Sequence, residues 1–332
     1  MNSTIKEDSP ILQVIDLKQY FPLKKESFLQ PKQVVKAVDN ISFELFAGET
    51  LSIVGESGCG KSTTGRSILR LDEPTSGDIL FKGISLPSLK KKDLRDVRGD
   101  IQVIFQDPYA SLNPRRTIRQ MLDEAMDIQK VLSKNKREER MLELMSYVGL
   151  RPEYLERYPH EFSGGQRQRL GIARALAVNP EIIICDEAVS ALDVSIQAQI
   201  LNLLKQLQRD LHLTFLFISH DLSVVRHISD RVMVMYLGKI VEIADKKNLF
   251  ESPMHPYTKA LLSAIPVTDK KKKNERIILK GDVPSPISPP SGCRFHTRCP
   301  FATAKCKDVE PLLRNLGSNH SVACHFAEEL MQ

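Results

Sequence analysis

The 332-residue chain contains no tryptophan, few aromatic residues and no long apolar run. No stretch approaches the roughly 18 apolar residues that cross a membrane, which argues against a transmembrane segment. The first ten residues are mostly polar, so we expect a flexible N-terminus over residues 1–10. The first eight contain no apolar stretch, so we expect no secretory signal. The net charge of +6 leaves nucleic-acid binding open without favouring it.

The rest of the composition is typical of a globular protein. Hydrophobic residues make up 42% of the chain and charged residues 27%, which excludes a disordered or fibrous chain. The length allows one large domain or two modest ones. Six cysteines in a chain without an export signal indicate reduced thiols or metal ligands rather than disulfides.

Apolar patterns predict an α/β fold. Helices are predicted over residues 63–71 and 196–211, the second because its apolar residues recur at steps of three and four. Two apolar strands flank that second helix, which favours a parallel sheet covered on both faces. The last two predicted strands form a hairpin. The predicted strands are residues 11–17, 37–45, 50–54, 181–186, 214–219, 231–236 and 240–243.

Composition also divides the chain. Residues 108–180 are predicted to be mostly helical, and a compositional shift follows at about residue 250. Beyond it, four lysines at 270–273 and four prolines within 284–290 indicate loop or linker. We therefore predict a catalytic domain over residues 11–250 and a C-terminal appendage over residues 251–332.

A phosphate-binding loop is predicted directly after the strand at 50–54. Glycines let successive N–H groups face a phosphate, and the following helix adds its positive N-terminal end. Lys61 would neutralise the β- and γ-phosphates, and Ser62 would offer its hydroxyl to Mg²⁺. The pattern G-x-x-x-x-G-K-[ST] is matched by Gly55-Glu56-Ser57-Gly58-Cys59-Gly60-Lys61-Ser62, followed by Thr63.

Two carboxylates at the end of the strand at 181–186 would complete a phosphoryl-transfer site. Asp186 and Glu187 follow four apolar residues, and sheets bind ligands at the carboxyl ends of their parallel strands. Asp186 would hold Mg²⁺ through water, and Glu187 would polarise the attacking water.

Further segments resemble the ATP-binding cassette family. Gln106 resembles the glutamine of its Q-loop, and His220, in Ser219-His220-Asp221, resembles its switch histidine. Two longer segments resemble the family's signature sequence, Phe162-Ser163-Gly164-Gly165-Gln166, and its D-loop, Ser190-Ala191-Leu192-Asp193. Together with the phosphate loop and the two carboxylates, these make six motifs, and all six stand in the family's order.

Longer stretches resemble the ATP-binding (F-type) subunit of bacterial oligopeptide and dipeptide importers. One departure is Ala188, where that family usually has proline; alanine keeps an N–H, so a looser turn is expected there. The similar stretches are residues 55–63, 104–114, 157–175, 185–199 and 220–238, with the tail segments 255–258 and 289–300.

The resemblance implies a nucleotide-binding domain of an ABC transporter. Its parts would be a phosphate-loop core sheet, an N-terminal antiparallel β subdomain, a helical subdomain and an oligopeptide-type C-terminal extension. Glu187, His220 and Gln106 would be the catalytic residues. Mg²⁺ would be bound by Ser62, Gln106 and Asp186. Phe21, or else Tyr20, would stack on adenine.

The resemblance also implies partners. A homologous second ATPase subunit would complete the site, with Ser163, Gly164 and Gly165 capping the ATP that the partner holds. Gln166 and Asp193 also count among the residues expected to bind nucleotide. Two permease subunits and an extracytoplasmic peptide-binding protein are expected, and no nucleic acid. The chain would lie on the cytoplasmic face of the membrane as a peripheral subunit.

The implied function is ATP hydrolysis that energises import of oligopeptides or dipeptides. One alternative is import of nickel or another small solute, because the tail is shared with that subfamily. A second is a soluble cassette ATPase that acts on DNA or ribosomes. A third, a regulatory cassette that only binds nucleotide, is disfavoured by the presence of both Glu187 and His220.

Four cysteines cluster in the tail, within one 32-residue window. Four thiolates suit a [4Fe–4S] cluster or a structural Zn²⁺. The spacing lacks the short C-x₂₋₄-C pair typical of zinc, and the tail resembles cluster-binding ones, so iron–sulfur is favoured. Substitute ligands would be His296, His320 and His325, and four apolar loop residues remain the alternative. The cysteines are Cys293, Cys299, Cys306 and Cys324.

Overall fold

The computed structural model describes residues 9–23, 33–107, 112–129, 132–265 and 276–329. Three predicted features lie wholly or partly outside the described residues: residues 1–8 of the flexible N-terminus predicted over 1–10, residues 108–111 at the start of the helical stretch, and the lysine run at 270–273. The chain forms two compact units. The first comprises Met1–Leu45, Leu51–Pro87 and His220–Gln332, and the second comprises Phe46–Thr50 and Ser88–Ser219.

The described residues alternate between strands and helices in the order expected of an α/β protein. The strands are β1 (Leu12–Pro22), β2 (Val34–Leu45), β3 (Thr50–Val54), β4 (Ser76–Phe81), β5 (Ile84–Ser85), β6 (Ile101–Ile104), β7 (Ile182–Asp186), β8 (Thr214–Ile218), β9 (Arg231–Tyr236), β10 (Lys239–Asp245), β11 (Arg314–Asn315) and β12 (Ser321–Val322). The α-helices are α1 (Lys61–Ile68), α2 (Lys91–Asp100), α3 (Ile118–Gln129), α4 (Lys134–Tyr147), α5 (Gly164–Leu176), α6 (Val194–Leu211), α7 (Leu222–Ile228), α8 (Lys246–Glu251), α9 (Pro256–Ser263) and α10 (Ala304–Asp308). Two short 3₁₀ turns lie at Pro152–Glu156 and Pro159–Glu161.

The first unit contains an antiparallel sheet in the order β2-β1-β4-β5 and a set of strands in the order β11-β12-β10-β9-β3. The predicted hairpin is confirmed, because β9 and β10 pair antiparallel with Tyr236 opposite Lys239. β3 runs parallel to β9, with Val54 opposite Val234. This pairing holds the end of β3, where the glycine-rich segment begins, against a buried strand.

The second unit contains the parallel strands β8-β7-β6. The predicted strand–helix–strand is confirmed: β7 pairs in parallel with β8, with Ile182 opposite Thr214, and α6 joins them. Residues 182–184 of β7 are at most 1% exposed. Burial of each such isoleucine contributes roughly 1.5–3 kcal/mol, which explains why the strand reads as a continuous apolar run.

The C-terminal residues pack into the first unit. Tyr257 and Phe295 are both buried and lie edge-on to Tyr236 of β9, with ring centroids 4.7 and 5.2 Å away. Aromatic pairs at these separations contribute beyond simple area burial. The segment with four prolines carries neither helix nor strand, as its composition predicts. Residue 250 lies inside the first unit, and the domain boundary proposed there stays a prediction.

Candidate functional site

The predicted phosphate loop connects β3 to α1 in the first unit. Its three glycines have φ of +153° at Gly55, +77° at Gly58 and +105° at Gly60. A Cβ at Gly55 would lie 2.2 Å from the Met235 carbonyl oxygen, and one at Gly60 would lie 2.2 Å from that of Ala37. The backbone path therefore depends on glycine for both conformation and space.

Lys61 reaches back across this loop. Its side chain is buried, and Nζ donates to the carbonyl oxygens of Gly55 at 2.9 Å and Glu56 at 3.0 Å. Ser62 and Thr63 lie half-buried in the first turn of α1. The arrangement places one full positive charge and a helix N-terminus at the same loop, which suits a polyphosphate.

The two aromatic candidates for adenine stacking lie next to each other on β1. The Tyr20 hydroxyl donates to the Asp39 carboxylate, and burial together with that bond raises the pKa of Tyr20 to about 12. Lys36 Nζ lies 5.9 Å from the centre of the Tyr20 ring. Tyr20 is therefore engaged within the unit, and adenine stacking by Phe21 stays a prediction.

The predicted carboxylates lie at the carboxyl end of β7 in the second unit. Asp186 is the last residue of the strand, and the Glu187 N–H donates to the Ile218 carbonyl at 3.0 Å. In the parallel β6, Ile104 stands opposite Cys185, so the exposed Gln106 emerges at the same edge as the two carboxylates. The structure thus brings these three predicted residues to one edge of the strands.

The turn after Glu187 contains the unusual Ala188. Glu187 has a φ of +49°, and its carbonyl oxygen accepts bonds from the Ser190 N–H at 3.0 Å and hydroxyl at 2.9 Å. Ala188 itself is buried. Two hydrogen bonds therefore close this turn around the alanine.

The predicted signature segment forms the N-terminus of α5, also in the second unit. Ser163 caps the helix: its N–H donates to Gln166 Oε1 at 3.0 Å, and its hydroxyl accepts from the Gln166 N–H. A Cβ on Gly165 would lie 2.6 Å from Ile196 on α6, so glycine lets the two helices approach. Ser163 and Gly164 remain exposed at this helix N-terminus, whose positive end favours an anion.

The remaining predicted residues lie at loop positions. Asp193 is exposed directly before α6, at the end of the predicted D-loop, and Leu192 of that loop packs on the signature segment beside Gly164. His220 is exposed two residues after β8 and belongs to the first unit. The predicted site residues are therefore divided between the units, with the phosphate loop, Phe21 and His220 in one and the others in the second.

The four tail cysteines line one cavity of about 20 Å³, together with His296 and His325. Burial raises the pKa of Cys293 to about 12 and that of Cys299 to about 11, so both thiols are protonated in the absence of a metal. His320, expected as a substitute ligand, instead bonds Glu242 Oε1 at 2.6 Å.

The same cavity tests the iron–sulfur expectation. Across the residues that the structure describes, no three His, Cys, Asp or Glu side chains are arranged to hold a metal ion. The cavity has about the volume of one water molecule. Cysteine thiols and imidazoles are chemically suited to a metal, but a cluster would require a larger space than this cavity offers and deprotonated thiols.

One contact at the loop has no signal in the sequence. Arg298 and Tyr257, both from the C-terminal region, bond to Glu56 of the phosphate loop. They are 242 and 201 residues away in the chain, and no local pattern connects positions so far apart.

Among the described residues, no helix is both long and apolar enough to cross a bilayer.

Models of two protein families match two parts of the chain. "ABC transporter" matches residues 38–190, and "Oligopeptide/dipeptide transporter, C-terminal region" matches residues 241–306. The first match contains the phosphate loop and the carboxylates, and the second contains three of the four tail cysteines.

Solved structures show the same cassette fold. The dimeric structure of MJ0796, described as a bacterial ABC transporter cassette, has a TM-score of 0.62 at 29% identity and covers 71% of this chain and 98% of its own. CbiO1 from Clostridium perfringens, part of the ABC transporter complex cbiONQ, has a TM-score of 0.64 at 26% identity, covering 74% and 93%. The expected fold class is confirmed.

Similar proteins extend over nearly the whole chain. The oligopeptide transport ATP-binding protein AppF of Bacillus subtilis is 56% identical over 326 residues, 97% of this chain and 99% of AppF. The oligopeptide transport ATP-binding protein OppF of Salmonella typhimurium is 51% identical over 329 residues, 98% of each. The dipeptide transport ATP-binding protein DppF of Haemophilus influenzae is 50% identical over 324 residues, 98% of this chain and 99% of DppF. The chain therefore belongs to the family of ATP-binding subunits of ABC-type oligopeptide and dipeptide transporters.

Proposed function

We propose that this chain binds Mg²⁺–ATP and hydrolyses it to energise import of oligopeptides or dipeptides across a bacterial cytoplasmic membrane. The observation that carries the proposal is the loop between β3 and α1, where glycine backbone and the buried Lys61 form a polyphosphate cradle. Identity of 50–56% with oligopeptide and dipeptide transport ATP-binding proteins supports the peptide as cargo.

Each site residue then has a proposed role. Lys61 holds the β- and γ-phosphates, and Ser62, Gln106 and Asp186 serve the Mg²⁺. Glu187 polarises the attacking water. His220 and Gln106 respond to the γ-phosphate, and Phe21 stacks on adenine.

The chain is proposed to act as a peripheral subunit on the cytoplasmic face, with two permease subunits, a homologous second ATPase and an extracytoplasmic peptide-binding protein. The exposed helix N-terminus at Ser163 and Gly164 supports the second ATPase, because its positive end can meet a phosphate held by another chain.

The isolated chain is expected to be a poor ATPase, since its own site lacks a partner's signature segment. Turnover should rise when the second ATPase and the permeases are reconstituted with it, and rise further with the binding protein and a peptide. The measurement is ATP turnover per chain at several protein concentrations. Full activity of a strict monomer at every concentration would contradict the shared site.

The same reconstitution distinguishes the cargo. Vesicles containing the complex should accumulate a labelled di- or oligopeptide in an ATP-dependent manner. Accumulation of Ni²⁺ instead would favour the small-solute alternative. Stimulation by DNA or ribosomes without permeases would favour the soluble cassette.

We also propose that the four tail cysteines bind a metal, with [4Fe–4S] favoured over zinc. Their convergence on one cavity supports this. The group would tie together a segment with little regular structure, and its binding would deprotonate the thiols. Cys293, Cys299, Cys306 and Cys324 would supply the ligands.

Protein purified without oxygen is expected to be brown, to absorb broadly near ~400 nm and to contain about four irons per chain. Cys299→Ser should lower the iron content and the thermal unfolding temperature together. Colourless protein with one zinc per chain would assign the site to zinc. The proposal would be overturned if the wild-type protein contained neither metal and the Cys299→Ser variant kept the stability and activity of the wild type.

A further inference from the structure

The C-terminal region holds the phosphate loop at Glu56 through two separate bonds. Arg298 Nη1 lies 2.8 Å from Glu56 Oε2, with the two side chains 9% and 28% exposed. The Glu56 backbone N–H donates to the Tyr257 hydroxyl at 2.9 Å. Both the side chain and the backbone of one loop residue are therefore bound from the tail.

The two tail residues are themselves held rigidly. Tyr257 is fully buried, its N–H donates to His255 Nδ1 at 3.1 Å, and its ring packs against Tyr236. The Arg298 N–H donates to the Phe295 carbonyl at 3.0 Å. The Arg298 guanidinium also lies 5.9 Å from the centre of the Tyr236 ring, within cation–π reach. Rigid partners can fix the loop rather than merely follow it.

Charge and protonation favour the same bonds. Arg298 carries a positive charge and Glu56 a negative one, so the bond between them is charge-assisted. Burial raises the pKa of Tyr257, so its hydroxyl keeps its proton. A charge-assisted bond of this kind is stronger than one between neutral groups.

Glu56 passes the constraint on to the phosphate-binding lysine, because its carbonyl oxygen accepts from Lys61 Nζ at 3.0 Å. We propose that Arg298 and Tyr257 are positioning residues, which hold Glu56 and through it Lys61 in the arrangement that receives the nucleotide phosphates. This inference rests on the proposed function of the loop. It assigns to the C-terminal extension a part in nucleotide affinity.

The test is a double-mutant cycle on nucleotide affinity, measured with a fluorescent ATP analogue and the full chain. Arg298→Ala and Glu56→Gln should each weaken binding by about tenfold, the size expected for one charge-assisted hydrogen bond. The double variant should bind no more weakly than either single one, because both remove the same contact. Arg298→Lys should recover part of the affinity, and Tyr257→Phe should weaken binding while keeping the packed ring.

Arg314→Ala is the matched control, since Arg314 forms an exposed ion pair with Glu328 elsewhere in the tail; its affinity should equal that of the wild type. Thermal unfolding is recorded for every variant. Lower unfolding temperatures for Arg298→Lys and Tyr257→Phe with unchanged affinity would overturn the inference, as would additive losses in the double variant.

The wild type and Lys61→Ala separate this inference from the proposed function. If the wild type binds the analogue and Lys61→Ala does not, an unchanged Arg298→Ala refutes only the positioning role. If Lys61→Ala binds as the wild type does, the loop is not the nucleotide site and both proposals fail.

Discussion

Glu187→Gln is expected to bind ATP normally and to hydrolyse it about 10²–10⁴-fold more slowly, the usual range for loss of a general base. Glu187 directly follows the buried strand β7, and its N–H is bonded to the Ile218 carbonyl, so the backbone that presents the side chain is fixed. An amide keeps the shape and size of the carboxylate. It cannot accept a proton from the attacking water, so turnover falls while binding remains.

The measurement is ATP turnover by the assembled transporter, beside nucleotide affinity of the same preparation. Glu153→Gln is the control, because Glu153 is an exposed glutamate on a 3₁₀ turn of the same unit. It should leave both quantities unchanged. Normal turnover by Glu187→Gln would show that another group activates the water.

Lys61→Ala is expected to weaken nucleotide binding by about 10²–10⁴-fold. Lys61 is only 5% exposed, so its ammonium meets the phosphates out of bulk water. Removing it leaves a phosphate charge uncompensated in a poorly solvated site, and breaking a buried charge pair costs roughly 3–5 kcal/mol. Binding of the fluorescent analogue and of Mg²⁺–ATP by calorimetry would measure the loss.

The same substitution removes two hydrogen bonds within the loop, to the carbonyls of Gly55 and Glu56. Thermal unfolding should therefore be recorded with the affinity, to separate a lost phosphate contact from a lost fold. Lys92→Ala, at an exposed position on α2, is the matched control and should bind as the wild type does. A folded Lys61→Ala protein with normal affinity would refute the assignment of the loop.

Local patterns predicted much of the fold. The helix expected over 196–211 spans Val194–Leu211, and the strand expected over 181–186 spans Ile182–Asp186. In each case the period of the apolar residues matches the face that tertiary packing buries. The helix expected over 63–71 is displaced to Lys61–Ile68, because Arg70 adopts a φ of +49° and ends the helical path.

Irregular pairing limited the prediction elsewhere. Strand β1 was expected to end at residue 17 but continues to Pro22. Its pairing with β2 shifts register on both sides of Leu17 and again between Gln19 and Tyr20. A register shift moves side chains to the opposite face, so the alternation that marks a strand is lost although the strand continues.

The sequence alone determined the loop between β3 and α1, because glycine, lysine and hydroxyl residues at fixed spacing between a strand and a helix are a local arrangement. The sequence also determined that Asp186 and Glu187 lie at the end of a strand, because a buried apolar strand ends where charged residues begin. Only the tertiary structure decided that Arg298 and Tyr257 reach Glu56, and that four cysteines from a 32-residue window line one cavity. Those contacts depend on how Tyr236, Tyr257 and Phe295 pack together, and such packing follows from side-chain shape across distant segments rather than from any period along the chain.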